Sequence, residues 1–341
     1  MMTGPFAARI AVRLLFIAAA FAATAPSVRA AGSGGRQPGD NGLAVKAQVN
    51  DPTAVAVDGS KKLYIVEQFS RIRRVDLRTG IITTVLTKAP LNAINSLVVD
   101  GQGNLIAAES LLHRVSRVDP RTGSVTLIAG GKRGFSGDGG PAAAAELDSP
   151  SFVAIDAADN VYIADSFNHR IRRVGTDGTI TTIAKVSLPQ ELALDREGDI
   201  LVSGFGTSSQ YQDLQRVDMK SGVIATVAGL TLTAGLQSPN CLIFDRTGKL
   251  YVLGPNEDSI HSIDSRSLVT ADSALASVGI RAGSPSTIHT QLCGGRMAFD
   301  SEGNLFVADF SGHRVRRISV RTGLIQIVAG NGLPHHVHVL Q

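Results

Sequence analysis

Among its 341 residues the chain has no tryptophan, two cysteines and only 5% aromatic residues. So few rings argue against a carbohydrate groove lined by stacking side chains. Two cysteines cannot make a disulfide scaffold or an all-thiolate zinc site. Neither sign of charge dominates, with 33 Lys and Arg against 29 Asp and Glu. Long apolar runs are missing except near the N-terminus, and that run is shorter than the ~20 residues of a membrane span. What is present is a 43% hydrophobic chain with 36 glycines, enough for a packed core rather than a disordered chain.

The N-terminal run reads as an address. Arg9 and Arg13 precede an apolar stretch from Leu14 to Ala23, and Val28-Arg29-Ala30 offers small residues where a signal peptidase cuts. Residues 1–30 are therefore expected to be a signal peptide and 31–38 a flexible linker, which predicts an exported protein, periplasmic or extracellular. Cleavage near Ala30 removes three arginines and no acid, so the mature chain is close to neutral.

Beyond the leader the sequence repeats itself. An apolar run ending in Asp, a tight polar turn, a second apolar run, an Arg-rich run and a Thr/Ile/Val run recur six times. The first Asp of each copy is Asp58, Asp100, Asp156, Asp195, Asp245 and Asp300. Phe152 to Ile155 and Val161 to Ala164 are nearly continuous aliphatic runs, as expected of strands buried on both faces. The Asp-x-x-Gly-Asn spacing between such runs (Asp100 to Asn104, Asp300 to Asn304) is hairpin chemistry. Arg170 to Val174 predicts a third strand and Thr179 to Ala184 a fourth. Six four-stranded units predict an all-β fold, a six-bladed β-propeller of antiparallel blades over residues 39–330, with 331–341 as a C-terminal tail.

Asn168-His169-Arg170-Ile171 after Val161-Tyr162-Ile163-Ala164-Asp165, and Ala308-Asp309-Phe310-Ser311-Gly312-His313-Arg314-Val315, resemble the NHL repeat. The linker from Ala129 to Ala142 is similar to one in exported bacterial NHL-repeat proteins. The resemblance covers nearly the whole mature chain and implies a six-bladed propeller, with roles that are mostly binding. Gly39-Asp40-Asn41-Gly42 followed by Pro52 matches Gly137-Asp138-Gly139-Gly140 followed by Pro150, and Ala329-Gly330-Asn331-Gly332 resembles the start of the same linker. The two ends of the propeller are thus expected inside one inter-blade linker, with closure by packing of blade 6 on blade 1, aided by the tail from Val337 to Leu340.

The chemistry-bearing residues favour structural roles. The arginines of the third strands follow Glu67, Glu109, Asp165 and Asp309, their expected ion-pair partners, and alternate between faces; no nucleic-acid partner is expected. His113, His169 and His313 share one repeat position on separated blades, so they cannot converge on a metal and are expected to stabilise turns. No nucleophile elbow, phosphate loop or calcium loop is present. Cys241 and Cys293 could bridge adjacent blades in an exported protein, or remain two buried thiols.

Two functions from different classes follow. The first is an exported, non-enzymatic binding propeller, monomeric and without cofactor, that engages a protein, peptide or small ligand. The second is a metal-dependent lactonase- or lyase-like enzyme, using Ca²⁺ or Zn²⁺ at the central channel mouth. The loop joining strands two and three is compact in four blades. It is replaced in blade 4 by the segment from Gly204 to Asp213 and in blade 5 by that from Gly254 to Asp258. Departures from a regular repeat are where function is grafted on a scaffold, so Gln210, Tyr211, Asp213, Asn256, Glu257 and Asp258 are the candidate ligand contacts.

Overall fold

Each repeat folds into one antiparallel sheet whose strands lie side by side in chain order. The structure is a computed structural model and describes residues 39–205, 212–227, 241–253, 260–264 and 297–333. Blade 1 comprises β1 (Pro52–Val57), β2 (Lys62–Glu67), β3 (Arg71–Asp76) and β4 (Ile81–Thr84). Blade 2 comprises β5 (Ile94–Val99), β6 (Leu105–Glu109), β7 (Arg114–Val118) and β8 (Val125–Gly130). Blade 3 comprises β9 (Pro150–Ile155), β10 (Val161–Asp165), β11 (Arg170–Val174) and β12 (Ile180–Lys185). Blade 4 comprises β13 (Glu191–Leu194), β14 (Ile200–Phe205), β15 (Gln212–Val217) and β16 (Ile224–Thr226). Blade 5 shows β17 (Cys241–Phe244), β18 (Lys249–Leu253) and β19 (Ile260–Asp264), its expected fourth strand falling outside the described residues. Blade 6 comprises β20 (Met297–Phe299), β21 (Asn304–Asp309), β22 (Arg314–Ser319) and β23 (Ile325–Ala329). Among the described residues no helix is long and apolar enough to cross a membrane.

Burial explains the sequence pattern. The second strands β6 and β10 are buried at every position, because a neighbouring blade covers each of their faces. The outer β8 and β23 expose their central residues. Six apolar clusters fill the gaps between blades. Val153, Ile163 and Val174 of blade 3 pack with Ile106, Ala108 and Val115 of blade 2, while Phe152, Ala164 and Ile171 pack with Leu192, Ile200 and Val202 of blade 4. Successive side chains of one strand therefore serve opposite neighbours, and no blade owns a core of its own.

The hairpin prediction holds in all six copies. The first Asp of each repeat accepts the backbone N–H four residues on: Lys62, Asn104, Asn160, Asp199, Lys249 and Asn304, at 2.8–2.9 Å. The recurring aspartates thus fix the turn between first and second strands.

Ring closure follows the predicted phasing. All four strands of blade 6 come from the C-terminal end of the described chain, and none is supplied by the N-terminal segment. Ala44, Ala47 and Val49 sit between the two blades, packed with Phe306, Ala308 and Val315 on one side and Val55, Leu63 and Ile65 on the other. Gly330 and Asn331 donate backbone N–H groups to the carbonyls of Ala44 and Ala47 at 2.9 and 3.0 Å. The same wedge recurs between blades 2 and 3, where Ala142, Ala145 and Leu147 occupy the gap. Each wedge folds tightly over a glycine. A Cβ on Gly39 would lie 2.7 Å from that of Ala47, and one on Gly137 2.6 Å from that of Ala145, both glycines having φ of +87°. The tail residues Val337 to Leu340 lie outside the described residues.

Candidate functional site

Antiparallel strands in chain order put the loops between second and third strands on the same face as the inter-blade linkers. On that face, β2, β6, β10 and β21 each end in an acid that pairs in register with the first Arg of the next strand: Glu67 with Arg71, Glu109 with Arg114, Asp165 with Arg170 and Asp309 with Arg314. Strand alternation brings the residue two further on to the same side. Arg73, Arg172 and Arg316 are that residue, each buried against its acid at 3.4, 3.4 and 2.7 Å. Two of the acids also hold the segment that leads into their own blade's first strand. Glu109 accepts the Asn92 N–H at 2.9 Å, and Asp165 accepts that of Asp148 at 2.7 Å.

The buried arginines reach further than the sequence suggests. Arg172 donates to the Ser136 carbonyl and pairs with Asp138, both at 3.0 Å and both in the linker entering blade 3. Arg73 likewise pairs at 3.0 Å with Asp40, in the matching N-terminal segment. Blade 2 is entered by a short linker without such an acid, and there Ser116 replaces the arginine and donates to Glu109. Burial pushes the carboxyls of Glu67 and Asp165 above their ordinary values, against the pull of the nearby guanidinium groups. These are structural clasps, as the alternation argument predicted.

The histidines stitch blades together. His113 Nδ1 accepts the N–H of Ser149 and His169 Nδ1 that of Leu188, each at 3.1 Å, and His313 Nδ1 accepts that of Asp51 at 3.5 Å. All three histidines adopt left-handed backbone geometry, with φ of 49°, 54° and 47°. Each therefore turns its own loop and tethers the segment that begins the next blade. His313 does so across the seam between blades 6 and 1. Among the described residues no three His, Cys, Asp or Glu side chains are grouped to hold a metal.

Opposite this face lies a second repeated device. Tyr64 and Tyr162 donate to Asp58 and Asp156 at 3.3 and 3.1 Å. Burial, reinforced by Asp58 and by Asp245 respectively, pushes the Tyr64 and Tyr251 hydroxyls up to about 12. The tyrosines hold the hairpins and take no part in the loop face.

Blades 4 and 5 break the pattern. Gly204 and Gly254 stand where the other blades carry the acid. In blade 4 a side chain is sterically excluded, since a Cβ on Gly204 would lie 2.7 Å from the Ser187 carbonyl. Glu191, fully buried in β13, instead reaches the neighbouring blade and accepts the Leu242 N–H at 3.0 Å. Sequence reasoning missed Glu191; a lone acid opening an apolar first strand was the available signal. Of the predicted contacts, Asp213 lies in β15 opposite Gly204. Gln210, Tyr211, Asn256, Glu257 and Asp258 fall outside the described residues, as does Cys293; Cys241 is buried.

Comparison with known proteins agrees with this geometry. The NHL repeat family matches residues 147–174, which is the core of blade 3. Mouse teneurin-1 is 27% identical over 168 residues, 40% of this chain and 6% of the teneurin. The chain thus spans a small fraction of the length of these curated relatives. Among solved structures, a streptogramin B lyase superposes with a TM-score of 0.55 at 14% identity, covering 84% of this chain and 85% of the lyase. A gluconolactonase from Xanthomonas campestris gives 0.56 at 16% identity, covering 82% and 95%. At such identities the likeness is one of fold. The chain thus folds as a β-propeller, and its third blade matches the NHL repeat in sequence.

Proposed function

We propose that the protein is an exported, non-enzymatic binding propeller whose loop face, centred on blades 4 and 5, engages a protein, peptide or small ligand. One observation carries this reading. On that face the acids and histidines of blades 1, 2, 3 and 6 are already taken up in clasps and stitches that hold the fold. Blade 4 has given up the clasp, and the sequence of blade 5 carries Gly254 at the position of the acid. Gln210, Tyr211, Asp213, Asn256, Glu257 and Asp258 are the proposed contacts, with Tyr211 the anchor because it joins apolar area to a hydroxyl at low entropy cost.

The second reading, a lactonase- or lyase-like enzyme, is favoured by the buried carboxylate of Glu191 in an inner strand and by the named activities of the lyase and gluconolactonase of similar fold. Metal analysis of protein purified without a metal-affinity step separates the two. The binding reading expects no stoichiometric Ca²⁺ or Zn²⁺ and a melting temperature indifferent to chelator; a stoichiometric metal would move the assignment to the enzyme.

A further inference from the structure

Asparagine is followed by glycine twice in the chain, at Asn41-Gly42 and Asn331-Gly332. This pair is chemically labile, because glycine has no side chain to keep its backbone nitrogen away from the neighbouring Asn Cγ. Both asparagines are exposed to water, and both lie in the linker segments where blades 6 and 1 meet. Their backbones are held very differently.

Asn41-Gly42 is clamped. The Asn41 N–H donates to the Ile82 carbonyl at 2.8 Å, the Gly42 carbonyl accepts the Ile82 N–H at 3.0 Å, and the Gly42 N–H donates to the Gly39 carbonyl at 3.1 Å. An amide hydrogen already held by an acceptor is harder to remove, since the bond favours the neutral form.

Asn331-Gly332 is open. The Asn331 N–H anchors to the Ala47 carbonyl at 3.0 Å, but among the described residues the Gly332 N–H has no acceptor. Asn331 Oδ1 accepts the Leu333 N–H at 2.9 Å, so the side chain folds forward across the Gly332 amide. That same donor stabilises negative charge growing on Oδ1. A guanidinium completes the arrangement: a Cβ on Gly332 would lie 2.6 Å from Nη2 of Arg314. The cation thus rests against an amide whose nitrogen must lose its proton, and a nearby positive charge favours the anionic form.

We propose that Asn331 is a site of spontaneous deamidation through a cyclic imide, promoted by Arg314, with water as the only co-reactant. The Gly332 nitrogen gives its proton to solvent and attacks Asn331 Cγ. The C–N bond of the side-chain amide breaks, and its nitrogen takes up a proton and leaves as ammonia. Water then opens the succinimide at either carbonyl, giving aspartate or isoaspartate and one new negative charge. In the isoaspartate product the main chain runs through the side-chain carbon, directly after the residue bonded to Ala47.

The test ages the purified full chain in neutral buffer, well below its melting transition, and follows its tryptic peptides by mass spectrometry. Thr322–Gln341 and Gln37–Lys46 each contain a single asparagine, Asn331 and Asn41 respectively. The deamidated mass should accumulate at Asn331 at least about tenfold faster than at Asn41. In denaturant the two rates should converge, and Asn331 should react no faster there than in the folded chain. Isoaspartate should appear in the aged Thr322–Gln341 peptide, and Arg314→Gln should slow its formation at least about threefold. Should that variant unfold, the folded and denatured wild-type chains still decide the matter. Equal rates at the two sites in the folded chain, a faster reaction at Asn331 once denatured, aspartate without isoaspartate, or an unchanged rate in folded Arg314→Gln would overturn the proposal.

Discussion

Blades 3 and 4 are neighbours with the same strand order, and they hold their loop face by different means. In blade 3 the acid of β10 gathers Arg172, Asn168 and the Asp148 N–H around itself. In blade 4 the incoming linker is short, its Ser187 carbonyl occupies the space of the missing side chain, and Gln215 replaces the buried arginine. A repeat can thus lose its polar centre when its linker moves in, while the sheet and the apolar inter-blade contacts carry on unchanged.

The largest expected effect comes from breaking the clasp where it exists. Arg172→Ala strands the buried Asp165 and should cost about 3–5 kcal/mol in equilibrium unfolding. The matching Gln215→Ala in blade 4 should stay within about 0.5 kcal/mol. Next comes the wedge. Gly137→Ala puts a Cβ against Ala145 at a positive φ, with a cost of about 2 kcal/mol, whereas Gly178→Ala meets open space and bears only the backbone strain. Smaller again is the stitch: His169→Ala leaves the Leu188 N–H without its acceptor and should cost about 1 kcal/mol.

The two faces of blade 3 should also separate by pH. Burial opposes ionisation of Asp156, but the Asn160 side chain and backbone N–H outweigh it and hold its carboxyl below the ordinary 3.8. Its stabilising contribution is complete above pH 3.8 and fades as pH falls through the lowered folded-state value. Asp165, raised by burial, works in the opposite sense: its contribution is complete below 3.8 and is lost as pH rises through the raised value. Carboxyl NMR titration should therefore find Asp165 titrating above 3.8 and Asp156 below it. Asp156→Asn should flatten the acid limb of the stability curve. Smallest of all, Tyr211→Ala and Glu257→Ala should leave the melting temperature where it is while weakening whatever binds blades 4 and 5.

How much of this was legible beforehand depends on the range of each interaction. The hairpin aspartates act over four residues and the acid–Arg register over four or five, so both stand in the repeat itself. The phasing of the ring was readable because Gly39 to Pro52 copies Gly137 to Pro150. The pairing of Arg172 with Asp138 spans 34 residues and depends on how the linker folds back. No local pattern distinguishes it from a solvated arginine. The repeat position of His169 marks it as a turn residue, but its bond to the next blade exists only once both blades are packed. The steric exclusion at Gly204 is set by the path of a different segment.

The stitch that closes the ring is the same bond as its counterpart between blades 2 and 3, yet it joins residues much further apart along the chain. His113 and Ser149 are 36 positions apart, His313 and Asp51 262. Chain closure costs about 0.6 kcal/mol for each doubling of the loop, so nearly three doublings handicap the seam by about 1.8 kcal/mol for identical contacts. The propeller is therefore symmetric in its contacts and asymmetric in its kinetics. Blade 6 should dock on blade 1 late in folding, and partial unfolding should begin by parting the ring there, with the amides of Gly330 and Asn331 exchanging ahead of those between blades 2 and 3.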